Sequence, residues 1–315
     1  MLYRRLAQAV PVAVGVSVLT FLLLNVLPGN VALAILGPGA DPAAVKALQV
    51  QDGLNHPLWV RYWRWLSQAV QGNLGNSFVT HQSVSSLIMV ALPVTVELIV
   101  VAEIVSLLLV VPGALLSAAL RGGWLDRLLS VFSFGAISVP PFLLGFVLIL
   151  LLSVDFHVFP ATGWVSLTQD PVGNLRSAIL PAASLGIGEF GFHLRILRGD
   201  VLEQLQEDYV VTARAKGVSR WQILTKHVLR NSVFVLITAV GVNFGRLLSG
   251  AVVVELLFAL PGVGSLLVDS IYQRDVTVVE GVVVFVAIAF VVINLAVDLL
   301  YVALDPRLRK ASGRG

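Results

Sequence analysis

The sequence predicts an all-α, polytopic membrane protein with six transmembrane helices in a single domain covering residues 1–315. Three observations carry that class. The 315-residue chain is 57% hydrophobic and only 12% charged, about half the ~25% of an ordinary soluble domain. Apolar runs of spanning length recur from end to end. Lys and Arg residues gather on alternate connections between those runs. The mean hydropathy of +0.91 agrees. There is no cysteine, which excludes disulfides, thiol nucleophiles and thiolate metal sites.

The apolar runs lie at about 9–27, 94–120, 128–153, 179–198, 233–258 and 281–303. Each is expected to be a helix, because a helix satisfies its own backbone hydrogen bonds in lipid. The first run follows Arg4 and Arg5, and Ala32-Leu33-Ala34 loosely resembles a signal-peptidase site. Its apolar core is longer than the usual signal-peptide core of about 7–15 residues, so it reads as a retained span. The fourth run is the least apolar. Gly186, Gly188, Glu189, Gly191 and His193 mark it as a helix that faces protein.

Orientation follows from charge. Of the 21 Lys and Arg residues, fifteen lie at the termini, in the 121–127 loop and in the 195–231 segment. Five lie in the opposite segments, and Arg246 lies inside a span. The positive-inside rule puts both termini and the 199–232 segment in the cytoplasm. The external segment 28–93 should contain a helix starting at Asp41-Pro42, an N-cap followed by proline at the first helical position. "HPLWVRYWRWLSQAV" then suggests an aromatic-rich helix at the membrane interface, serving as an anchor or as a platform for an external partner. Pro261 and Gly262 should end the fifth span in a turn, an external gate region with Glu255 just before it at the membrane boundary.

The segment "TARAKGVSRWQILTKHVLR" is too structured for a plain basic loop. A helix from Glu203 should end at Gly217, a residue suited to the left-handed C′ position. Ser219 with Gln222 forms a capping box for a second helix running to about Arg230. Ala213, Ala215 and Gly217 make a corner small enough for close approach. Arg214, Lys216, Arg220, Lys226 and Arg230 surround it. A solvated loop or an anionic-lipid patch would explain the charges but not the capped corner.

Three ionisable residues fall deep in spans: Glu103, Glu189 and Arg246. Their depths, roughly 15–18 Å at 1.5 Å per residue, place them on one level. Such residues face a bundle interior or water. Arg246 is expected to pair with Glu103 or Glu189, either as a structural pair or with the remaining carboxylate on a translocation pathway that also includes Asn243. No P-loop and no H-x-x-x-H or H-E-x-x-H pair occurs, and the five histidines are scattered. The expectation is no metal site, no catalytic residue and no enzyme activity.

"DYVVTARAKGVSRWQILTKHVLRNS" resembles the EAA loop of ABC-importer permeases of the dipeptide/oligopeptide/nickel group. "LLNVLPGN", "GNLGNSF", "LPVTVEL", "SVPPFLLG", "GAVVVELLFALPGVG" and "NLAVDLLYVALDPRLR" resemble the same group in order along the chain. The resemblance implies the type I ABC importer permease fold, with a cytoplasmic coupling helix at Ala213, Arg214, Ala215, Lys216, Gly217, Val218 and Ser219. It also implies a bacterial cytoplasmic membrane location. The implied partners are a second, related permease, two cytoplasmic ATPases that carry ATP and Mg, an external substrate-binding protein and membrane lipid. No nucleic acid and no cofactor of its own are implied. The implied cargo is di- or oligopeptide; nickel chelate, haem, glutathione or an oligosaccharide would use the same architecture. The chain departs from the group at Val235, where proline is usual. Pro141 adds a second proline that should sharpen a bend in the third span. The group also has small or apolar residues at the two Glu positions.

Overall fold

The computed structural model describes residues 11, 14–23, 39–51 and 55–304. Parts of the first span, the "LLNVLPGN" stretch and the C-terminal basic segment lie outside them. The described residues are helical: α1 Val14–Leu23, α2 Pro42–Gln51, α3 Leu58–Val70, α4 Val84–Ala119, α5 Trp124–Ser138 and α6 Pro141–Leu148. Next come α7 Pro171–Gln204, α8 Asp208–Ala215, α9 Arg220–Leu257, α10 Val263–Tyr272 and α11 Val276–Leu304. α4, α9 and α11 are long and apolar enough to cross a membrane, and α5 with α6 adds a broken fourth candidate. α7 contains the expected fourth span, but its polar residues keep it out of that set.

Two compact units form. The first comprises 1–94 and 261–295, the second 95–260 and 296–315. In the first, Val84, Ile88 and Ala91 of α4 pack with Val263 of α10 and with Val278 and Val282 of α11. Asp41 begins α2 as expected, accepting a hydrogen bond from the Ala43 amide at 3.0 Å. α3 has no buried residue. Tyr62 ties it to α1 through Ser17 at 2.8 Å and the Phe21 ring at 5.4 Å. Trp59 and Trp63 point outward, as an interfacial anchor requires.

In the second unit α7 is the spine. Asp170 caps it by accepting from the Val172 amide, with Pro171 at the first position. Gly186, Glu189, Gly191 and His193 are buried. A Cβ on Gly186 would meet the Ala102 carbonyl oxygen at 2.6 Å, and one on Gly191 would collide with the Ser133 carbonyl oxygen. Small residues here let α4 and α5 approach the α7 backbone, the usual way helices associate in lipid.

The third span, expected at 128–153 with a bend sharpened by Pro141, is broken there. It is two helices, α5 and α6, bent by 106°, and the chain runs on from α6 through a π-helical turn, Ile149–Asp155. Each proline drives the residue before it out of the helical region. Val139 sits at φ −95, ψ 123 and Pro140 at φ −59, ψ 142. A lone Pro140 would displace only Val139. Pro141 also displaces Pro140, then starts α6 at a position where its missing N–H costs nothing.

Candidate functional site

The capped corner is built from local chemistry. Gly217 has φ +76. The Gly217 amide donates to the Arg214 carbonyl at 3.0 Å and the Val218 amide to the Ala213 carbonyl at 3.1 Å. Those two bonds define a Schellman end for α8. Ser219 then accepts from the Gln222 amide at 3.4 Å and starts α9. Ala213 is buried with Val210, Ile223, Leu224 and Val228 in one apolar cluster that includes Leu197 and Val201 of α7. Arg214, Ala215, Lys216, Gly217 and Ser219 are exposed, and Val218 is partly buried. The corner is thus seated on a core and presents a small, basic outer face.

Two expected boundaries are corrected. The helix from Glu203 to Gly217 is interrupted: α7 stops at Gln204 and α8 starts at Asp208. The second helix does not stop near Arg230. It passes through a π-helical turn, Ile223–Val228, and continues to Leu257. No proline at position 235 interrupts it. Asn243 and Arg246 therefore lie on the same continuous helix as the corner, Arg246 being roughly 40 Å along it at 1.5 Å per residue.

The in-span charges do converge. Arg246 pairs with Glu189, its Nη2 lying 3.3 Å from Oε2 and 3.4 Å from Oε1. Its guanidinium also sits over the Phe192 ring at 5.0 Å. Glu103 Oε2 lies 3.9 Å from His193 Nδ1, which is 3.2 Å from the Ser106 hydroxyl. Glu103 and Ser106 share one face of α4, one turn apart; Glu189 and His193 do so on α7. Glu103, Glu189 and His193 bring one ligand atom each within 4.8 Å of one another. The sequence anticipated no such carboxylate–imidazole group. Both Glu103 oxygens and His193 Nε2 are buried without a hydrogen-bond partner, as is Asn243 Nδ2. Arg246 is half-exposed.

Glu255, just before the turn at Pro261 and Gly262, is fully buried and accepts from the Thr95 hydroxyl at 2.6 Å. After α9, Ala259 takes φ +53, and Gly262 caps α10 past Pro261.

Comparison with known proteins decides the family. Residues 110–310 match the binding-protein-dependent transport system inner membrane component, and residues 1–99 match its N-terminal membrane component. The chain belongs to that family. This permease is 40% identical over 309 residues to a peptide transport system permease protein of Brucella abortus, covering 98% of each chain. It is 36% identical over 306 residues to the glutathione transport system permease protein GsiC of Escherichia coli K12, covering 97% of each. An inward-facing MetNI methionine ABC transporter chain superposes with TM-score 0.56 at 18% identity, over 70% of this chain and 96% of that one. That likeness shows the fold. The chain is a membrane-embedded permease subunit of an ABC importer and not itself an enzyme. The family works with other permease, ATPase and binding-protein subunits.

Sequence reasoning missed two further clusters in the permease. Arg198, counted above as cytoplasmic charge, forks onto Asp126: Nε to Oδ1 at 2.9 Å and Nη2 to Oδ2 at 3.0 Å. Ser117 bonds the same carboxylate, and the Gly122 amide donates to it at 2.9 Å. Asp275 receives the Ser77 hydroxyl at 2.5 Å and the Phe78 amide at 3.3 Å, while accepting from Val278 in the first turn of α11. An Asp before the apolar run of α11 was a legible cap signal. Its bond to Ser77, distant in sequence, was not.

Proposed function

We propose that this permease is one half of the translocation pathway of an ATP-driven importer of short peptides. It acts as one permease domain with six spans and both termini cytoplasmic, in a bacterial cytoplasmic membrane. A related permease supplies the other half, two ATPases carry ATP and Mg, and an external binding protein delivers the cargo. The observation that carries this reading is the capped corner. Schellman end, Ser219 cap and buried Ala213 make a rigid, exposed knob ringed by Arg214, Lys216 and Arg220. A knob of that kind suits docking in a groove on an ATPase. ATP-driven closure of the ATPases would displace it, and continuous α9 would carry the displacement to Asn243 and Arg246. Coupling needs contacts that differ between the two states, and a stiff helix transmits them better than a loop. Glu255, Pro261 and Gly262 would form the external end of the same lever. Glu103 and Glu189 would line the pathway level with Arg246.

The test is reconstitution with the partner permease, ATPases and binding protein. Gly217→Trp introduces a side chain at φ +76, a conformation that disfavours it. Peptide-stimulated ATPase activity should be lost while the assembled complex is retained. Full stimulation by that variant would overturn the docking role. Glutathione is the second cargo reading, because GsiC is a relative over nearly the whole chain. A panel of dipeptides, longer peptides, glutathione and nickel chelates separates the two. Stimulation by glutathione alone would replace the peptide reading.

A further inference from the structure

A cleft of ≈ 440 Å³ lies wholly within the first unit, among the N-terminal part of α11, α3 and the loop before α4. Pockets of this size suit small ligands. Its wall mixes two signs of charge. Arg61 and Arg64 come from α3, His81 from the loop and Glu280 from α11. Glu280 is only 5% exposed, yet its Oε1 has no hydrogen-bond partner. The Trp65 indole N–H, in the same wall, is also buried without one. Neither Arg61 nor Glu280 has a salt-bridge partner among the described residues. A buried acceptor and a buried donor left open around one cleft are costly unless something bonds them.

The arrangement is held in place. Asp275 fixes the loop through Ser77 and Phe78 and caps α11 one turn before Glu280. The Asn76–Ser83 bridge closes the loop's base. His81 has φ +58, a conformation that non-glycine residues adopt at a cost. Burial lowers the Arg61 pKa from its ordinary value, and the charge of Glu280 partly offsets that.

We infer that this cleft is a binding site for a small zwitterion, the free ammonium of a short peptide meeting Glu280 and its carboxylate meeting Arg61 and Arg64. This deepens the peptide reading and rests on it for the ligand class. On the proposed topology the cleft opens to the external side, where cargo would first meet this subunit.

The test is equilibrium binding of radiolabelled alanyl-alanine to the full chain in phosphatidylcholine nanodiscs. Binding should be saturable. Its C-terminal amide and its N-acetyl form should each bind at least tenfold more weakly. Glu280→Gln should weaken the dipeptide at least tenfold and abolish the preference over the N-acetyl form. Arg64→Gln, at an exposed residue that leaves the fold intact, should weaken the dipeptide and reduce the preference over the amide. Absence of saturable binding, equal binding of both blocked forms, or an unchanged Arg64→Gln would overturn the site. Phosphoethanolamine displacing label better than unlabelled dipeptide would assign the cleft to a lipid headgroup and overturn the peptide ligand. Saturable binding without peptide import by the assembled transporter leaves this site standing and removes the peptide-cargo reading; import without binding does the reverse.

Discussion

Two charged clusters join helices α4 and α7, and they are built on opposite terms. Around Asp126 every strong bond is made. Arg198 forks onto the carboxylate, and Ser117 and the Gly122 amide take up more of its acceptor capacity. Around Glu103 much is left open. Both its oxygens and His193 Nε2 lack partners, and the Arg246–Glu189 contacts of 3.3–3.4 Å are long for charge-assisted bonds. A satisfied buried pair is a staple, because removing one partner strands the other charge. An under-satisfied cluster has bonding capacity in reserve, and its members can exchange partners at little cost. Such a set suits a segment that has to rearrange.

Asp126→Ala should cost most, about 2–3 kcal/mol, since it strands a partly buried guanidinium. A fall in apparent melting temperature, read by intrinsic fluorescence in detergent, checks it. Arg198→Lys should cost about 1 kcal/mol in the same measurement, because an ammonium cannot reproduce the two-pronged bond. Glu189→Gln should also cost about 1 kcal/mol or less: its partner Arg246 is half-exposed, and exposed pairs contribute little. Its effect on transport should exceed its effect on melting. Glu103→Gln should be smallest, within about 0.5 kcal/mol of zero, because no hydrogen bond is lost with the charge. If Glu103→Gln destabilised as much as Asp126→Ala, the contrast between the two clusters would collapse.

The corner and the in-span cluster were legible in the sequence to different degrees. Gly217, Ser219 and Gln222 act on bonds reaching only a few residues, so the turn could be read from its own letters. Continuation of the second helix could not, because nothing marks Arg230 as an end or a passage until α9 packs on its neighbours. Depth counting put Glu103, Glu189 and Arg246 on one level. It left open which carboxylate Arg246 would take, since that depends on how α7 and α9 are rotated. The burial of Glu255 was hidden for the same reason: its position near a span end says nothing of the Thr95 hydroxyl facing it. Arg198 was counted with the cytoplasmic charge and Asp126 drew no notice, because their partnership is 72 residues long in sequence.

By itself the sequence determined the membrane class, the gathering of Lys and Arg on alternate connections, the helix stop at Gly217 and the break imposed by Pro140 and Pro141. These follow from solvation and backbone sterics, which act on a residue and its near neighbours whatever the rest of the chain does. Only the tertiary structure decided that Arg246 meets Glu189, that Asp126 meets Arg198, and that Arg61, Trp65 and Glu280 enclose one cleft. Those choices depend on helix rotation and on distances between helices, which are set by close packing at residues such as Gly186 and Gly191 and leave no mark in the spacing of the charges themselves.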